Sequence, residues 1–209
     1  MTEDLKISAV VLAADQSSRM EGQHKLTLDV GGEPMIRRTV KAVSAIAPVE
    51  AIVVTGFAAT GITSALAGLP VRCIHNPRYG EGQQTSVAVG VRSLRHFCHA
   101  VMVVPGDQCL LTPAHLADLV SAFRRAGDRS IVVPFHKGRR GNPVLFASHH
   151  IPEIAAGGFA TGCRHLVERN ADKVAQVEFE SDAYVVDCDT PADYAALLAR
   201  IEGEVNCPS

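Results

Sequence analysis

The chain has 209 residues, with 20 Lys+Arg against 22 Asp+Glu, a formal charge of −2 and 47% hydrophobic residues. That composition excludes a disordered chain, and a pI of about 6.5 gives no electrostatic argument for nucleic acid as a general partner. No window nears the ~20 apolar residues of a membrane helix, and the acidic start Met1-Thr2-Glu3-Asp4 lacks a basic signal flank, so a soluble cytoplasmic protein of one domain over residues 1–209 is expected.

In chain order, apolar β-branched runs alternate with helical patterns. Ile7 to Ala13 is near-continuously apolar, as expected of a strand buried on both faces. Pro34 to Ala45 has helical spacing, with apolar residues at Met35, Ile36, Val40 and Val43. Ala51 to Thr55 and Val71 to Ile74 read as the second and third strands, and Thr85 to Leu94 as a helix. Ala100 to Val104 is a fourth strand, closed by Pro105-Gly106-Asp107. Thr112-Pro113 is an N-cap and first helical residue ahead of Ala114 to Ala126. Ser130 to Pro134 and Pro143 to Phe146 read as fifth and sixth strands, and Thr190-Pro191 starts a last helix over Ala192 to Glu202. Such alternation predicts an α/β fold of βαβ units around a mostly parallel sheet, with ligands at the carboxyl ends of the strands.

The six cysteines include no C-x-x-C pair, and His96, His99, His149 and His150 read as solvated surface histidines, so neither set predicts a metal site. The loop after the first strand, from Ala13 to Lys25, joins small residues and hydroxyls to Arg19 and Lys25. Backbone N–H groups in such a loop cradle phosphates, and the two cations neutralise them. It is neither a P-loop nor the G-x-G-x-x-G dinucleotide turn.

Leu12-Ala13-Ala14-Asp15, Arg19-Met20, Lys25-Leu26 and Gly31-Gly32-x-Pro34-Met35 together resemble the opening signature of nucleotidyltransferases that handle molybdenum cofactor. Asn76-Pro77-x-x-Gly80-x-Gly82-x-x-x-Ser86-x-x-x-Gly90, Pro105-Gly106-Asp107-Gln108, Gly138 to Phe146 and Asp187 to Tyr194 continue the resemblance in the family's order. Within the group the chain is similar to the cytidylyltransferase branch, to which the Ala13-Ala14 pair leans. The resemblance implies a three-layer α/β/α, Rossmann-like fold. It implies transfer of a nucleoside monophosphate, CMP from CTP, to a phosphorylated acceptor of the molybdopterin type, with pyrophosphate leaving.

The same resemblance implies the site residues. Arg19, Lys25 and Asp107 are the expected catalytic groups. Leu12, Ala13, Ala14, Arg19, Lys25, Asn76, Gly82 and Ser86 are the expected nucleotide contacts. Ser86 and Gln83 are equally suited to capping the following helix. Arg139, Arg140, Asn142 and Arg164 are expected on the acceptor side. Asp107 is expected to hold Mg²⁺, or Mn²⁺ in its place, with a second carboxylate from Asp187 or Asp189. Their i, i+2 spacing points both to one side of an extended segment and does not choose between them. A molybdoenzyme or its chaperone is an expected receiver of the product, and neither nucleic acid nor membrane is an expected partner.

Two departures from the family pattern stand out. Asp15 and Glu21 replace the usual glycines and put carboxylates into a polyanion-binding loop. Aligned on Gly162 and Arg164, the family's Gly-Asp pair falls on Phe159 and Ala160, so an acidic group is missing there. These changes keep two alternatives open: a homologue that binds a nucleotide or cofactor without turnover, and a sugar- or polyol-phosphate nucleotidyltransferase of the same fold.

Overall fold

The computed structural model describes residues 5–17, 19–20, 24–157 and 163–205. Glu21, Phe159, Ala160 and Gly162, on which parts of the two departures rest, lie outside the described residues.

The first half is built of β1 (Ile7–Ala13), α1 (Met35–Ala45), β2 (Glu50–Thr55), α2 (Ala59–Ala65), β3 (Arg72–His75), α3 (Gln83–Arg92) and β4 (Ala100–Pro105). Then come α4 (Pro113–Arg125), β5 (Ile131–His136), β6 (Arg139–Arg140), β7 (Val144–Ala147), α5 (Ile151–Ala156), α6 (Cys163–Arg169), β8 (Val174–Glu178) and α7 (Pro191–Val205). The sheet order is β3-β2-β1-β4-β7-β5-β6, with β8 paired to β5. β1 runs parallel to β2 and β4, in register Val10↔Ile52 and Val10↔Val103. The sixth predicted strand, β7, is antiparallel to both β4 and β5. The connection from β5 through β6 is too short for a crossover, so the chain turns back on itself.

Period-two alternation sorts β1 between two cores. Ala9, Val11 and Ala13 face a cluster with Met35, Ile36 and Val40 of α1 and Leu116 and Leu119 of α4. Val10 and Leu12 face a second cluster with Val87 and Val91 of α3, Ile154 of α5 and Leu166 of α6. Helices therefore cover both faces, and the architecture is three-layered α/β/α. The two missed helices before α6, α2 and α5, are short, and among the described residues no helix is long and apolar enough to cross a membrane.

One expectation is corrected here. His150 is not a surface residue. It is 6% exposed, and its Nε2 lies 2.9 Å from the Ser130 Oγ. Burial, helped by neighbouring His149, holds its pKa below the usual imidazole value. The fold therefore favours neutral His150, and that contribution is present above the unfolded value of ~6.5 and lost as pH falls. Thermal denaturation across pH 7 to 5 should show stability falling with pH, and His150→Gln should flatten that part of the profile.

Candidate active site

The chain runs β1-β2-β3 outward on one side of β1 and returns with β4 on the other, so the order reverses between β1 and β4. At such a switch point the loops leaving adjacent strands diverge and open a crevice at the carboxyl ends. A cavity of about 530 Å³ lies there.

Close packing brings its walls together. A Cβ on Gly106 would lie 2.7 Å from the Leu12 carbonyl oxygen, so only glycine lets the turn after β4 approach β1. The Gly106 N–H donates to that carbonyl at 2.9 Å, and the Thr39 hydroxyl of α1 donates to the Gly106 carbonyl at 2.9 Å. These bonds aim Asp107 into the cavity. The opposite wall is held by Asp193, whose Oδ2 accepts from the Asp189 N–H at 3.1 Å and the Thr190 N–H at 2.8 Å. The capping residues of α7 thus position a carboxylate of the site.

Five charged side chains converge. The Lys25 ammonium donates to Asp107 Oδ2 at 2.5 Å and to Asp189 Oδ1 at 2.8 Å. Asp15 Oδ2 lies 3.7 Å from the same nitrogen, and Arg19 Nη2 lies 2.9 Å from Asp189 Oδ2. The Lys25 side chain is only 6% exposed, whereas those of Arg19 and Asp15 are 64% and 61% exposed. Burial opposes the charge on Lys25, but Asp107 and Asp189 outweigh it and hold its pKa above the ordinary value. Burial likewise opposes ionisation of Asp189, and Lys25 and Arg19 outweigh it, holding the carboxyl below its ordinary value. Asp187 differs: desolvation inside the cavity, then repulsion from Asp107 and Asp189, push it up to about 6. The carboxylates of Asp15, Asp107, Asp187 and Asp189 outnumber the cations of Arg19 and Lys25 by two, so the cavity is poised for further positive charge.

Of the sequence-predicted residues, Leu12, Ala14, Lys25, Gly82, Ser86, Asp107, Asn142, Asp187 and Asp189 line the cavity. Ala13 packs into the core and presents only its backbone. Asn76 stands behind the wall. It is 0% exposed, its amide nitrogen donates to Thr85 Oγ1 at 2.8 Å and Ser86 Oγ at 2.9 Å, and its Oδ1 accepts from the Arg78 N–H at 3.0 Å. Its groups are thus committed to holding the turn before α3 against the first turn of that helix. Gly82, with φ of +108°, gives the turn a backbone shape that side chains rarely adopt, and Gln83 begins α3 without a side-chain cap at Gly82.

The residues expected on the acceptor side form a neighbouring group. The Arg139 guanidinium donates to the Val185 carbonyl at 3.3 Å, and its charge acts on Asp187. Arg140 is half-buried, and burial with Arg164 nearby lowers its pKa. Arg164 lies on α6, 3.7 Å from Glu168, and does not line the cavity. The Asn142 N–H and the Gln108 amide both donate to the Tyr184 carbonyl, at 2.8 and 3.1 Å, tying the acceptor loop to the loop of Asp107. Gly80 of the quoted motif lines the cavity as well, and so do Tyr79 and Gln16, which were not singled out, although Tyr79 sits inside the segment Asn76 to Ser86.

Comparison with known proteins fits this geometry. A family model described as a MobA-like NTP transferase domain matches residues 9–177. Molybdenum cofactor cytidylyltransferase of Escherichia coli (strain K12) is 26% identical over 199 residues, spanning 93% of this chain and 96% of that protein. Bifunctional protein GlmU of Rhodospirillum rubrum is 33% identical over 129 residues, 61% of this chain. The chain spans less than a third of GlmU, 28% of its length. Rv0371c of Mycobacterium tuberculosis H37Rv shares the fold at TM-score 0.82 and 23% identity, over 94% of this chain and 100% of its own. A second Rv0371c structure, a complex with manganese, gives a TM-score of 0.77 at 21% identity, over 93% of this chain and 98% of its own. With the match running from β1 into β8 and across the switch-point cavity, the chain belongs to the MobA-like NTP transferase domain family.

Proposed function

We propose that this chain transfers CMP from CTP to a phosphorylated acceptor of the molybdopterin type, releasing pyrophosphate. The observation that carries the reading is the convergence of Lys25, Arg19, Asp107 and Asp189 at the carboxyl ends of β1 and β4, linked by three ion pairs of 2.5 to 2.9 Å. The acceptor phosphate oxygen attacks the α-phosphorus, and the bond to pyrophosphate breaks. Such a step demands charge neutralisation and in-line placement more than covalent help. Lys25 and Arg19 neutralise the triphosphate and the departing pyrophosphate. The backbone from Leu12 to Ala14, with Gly82 and Ser86, serves the nucleoside, and Asn142 at the cavity wall, with Arg139, Arg140 and Arg164 beyond it, serves an anionic acceptor.

The donor set fits Mg²⁺ or Mn²⁺. Asp107 and Asp189, with Asp187 beside them, offer hard oxygens, and among the described residues no cluster of three or more metal-type side chains is preassembled. Mg²⁺ sites of this kind use one or two carboxylates, with substrate phosphates and water as the remaining ligands. The bound cation supplies Lewis-acid neutralisation of the phosphates. The manganese complex of Rv0371c supports this assignment. The reading is tested by pyrophosphate release from each nucleoside triphosphate with Mg²⁺ and molybdopterin. Release with CTP is expected, and triphosphate binding without release under any pairing would replace the reading with a non-catalytic binder.

Asp15 faces the cavity and borders Lys25, so its charge bears on triphosphate affinity. Two unit charges 4 Å apart repel by ~4 kcal/mol at an effective dielectric of ~20. A carboxylate 61% exposed is screened well below that, to about 1 kcal/mol. Asp15→Gly should therefore tighten triphosphate binding about fivefold by calorimetric titration. Unchanged affinity would mean that Lys25 already cancels the charge.

A further inference from the structure

We propose that the Lys25 ammonium and a divalent cation exclude one another at Asp107 and Asp189, so that the cation enters only together with the triphosphate that draws Lys25 away. This rests on the reading above and assigns Lys25 a second role, as the occupant of the carboxylate pair before substrate arrives.

The geometry points to it directly. Lys25 Nζ takes Asp107 Oδ2 at 2.5 Å and Asp189 Oδ1 at 2.8 Å, one oxygen from each carboxylate. A Mg²⁺ held by Asp107 and Asp189 would need carboxylate oxygens that the ammonium occupies. Arg19 claims the other oxygen of Asp189 at 2.9 Å. Asp15 lies on the same nitrogen at 3.7 Å, so three carboxylates hold Lys25 in place.

Burial makes the exchange conditional. The Lys25 side chain is 6% exposed and its neighbour Leu26 is 1% exposed, so the ammonium has little access to water where it stands. A cation that took Asp107 and Asp189 alone would leave the buried Lys25 ammonium with the exposed Asp15 carboxylate, 3.7 Å away, as its remaining partner, which is unfavourable. A triphosphate removes that penalty by giving Lys25 a new anion within the same cavity. The two ligands must then favour each other's binding by the same factor, because coupling between sites is reciprocal. Until they arrive, Lys25 holds Asp107 and Asp189 together, so the site is preorganised without a metal.

The test is a titration of the purified full chain with Mn²⁺ alone, followed by the electron paramagnetic resonance of free Mn²⁺. Wild type should bind weakly. Lys25→Met should bind Mn²⁺ roughly tenfold tighter or more, because the carboxylates are released. Lys25→Gln is the second neutral variant should Lys25→Met fold poorly by circular dichroism. Lys25→Arg, which keeps the charge, should stay close to wild type. Wild type that binds Mn²⁺ alone as tightly as the neutral variants overturns the proposal. Neutral variants that gain nothing also overturn it, even if CTP binds well. Failure of the wild type to bind any triphosphate would instead remove the functional reading, while the Mn²⁺ comparison would still decide the exclusion.

Discussion

Asp107→Asn is expected to lower kcat/KM for nucleotidyl transfer by roughly 10³-fold while the chain remains folded. Removing one preorganised charge-stabilising group from a transfer site commonly costs roughly 10²- to 10³-fold, and Asp107 serves two such groups. It is the nearer partner of Lys25, at 2.5 Å, and its carboxylate lines the cavity. Asn keeps the volume and one acceptor oxygen but removes the charge that holds both Lys25 and a metal. Lys25 retains Asp189 at 2.8 Å, so the loss of stability should stay near ~2 kcal/mol. Pyrophosphate release against protein concentration, with circular dichroism as the folding check, reads the outcome. Activity within tenfold of wild type would show that Asp107 is a turn-former after Pro105-Gly106 and not part of the reacting constellation. The parallel pair Asp187→Asn and Asp189→Asn separates the second carboxylate. Asp189 is already engaged by two cations, whereas Asp187 has no such ion pair among the described residues and is pushed up to about 6.

The strands that position this site were legible because burial on both faces leaves a plain mark. Ile7 to Ala13 reads as one strand in the sequence and is one in the structure, 9% exposed at most. Val174–Glu178 was missed for the opposite reason: it pairs only with β5, is half-exposed, and interleaves Gln176 and Glu178 with its apolar residues. The reversal at β7 follows from the shortness of the connection after β5, a chain-length argument that periodicity does not contain. α2 reads Ala-Thr-Gly-Ile-Thr-Ser-Ala, poor in helix formers, and buries only Ile62. In the site, residue types were legible but their pairings were not. Lys25 and Asp189 are 164 positions apart, and only the sheet brings them together. Asn76 shows the limit most clearly. An amide suited to a nucleobase is equally suited to bridging Thr85 and Ser86, and sequence does not say which way the side chain points.

Gly90→Ala is the second substitution with a large expected effect, and its sign is opposite to that of intrinsic helix propensity. Gly90 lies within α3, where replacing glycine by alanine ordinarily gains about 1 kcal/mol. Here α3 presses directly on the sheet. A Cβ at Gly90 would collide with Val10 Cγ1 of β1 and lie 2.9 Å from Val54 Cγ2 of β2. Both valines are 0% exposed and β-branched, so neither has a free rotamer into which to retreat. Overpacking of this kind costs ~1–3 kcal/mol, which outweighs the propensity gain. The net loss should be up to about 2 kcal/mol, a fall in Tm of up to roughly 8 °C for a chain of this size. Gly203→Ala is the matched control. It lies in α7 with nothing within 4 Å of its Cβ position, and there Ala should raise Tm. The same chemical change then reads the local packing alone. Because α3 also carries Gly82, Gln83 and Ser86 to the cavity, a displaced helix should weaken triphosphate binding in Gly90→Ala and leave it unchanged in Gly203→Ala. Equal stabilisation by both substitutions would show that α3 stands farther from the sheet than its contacts with Val10 and Val54 require.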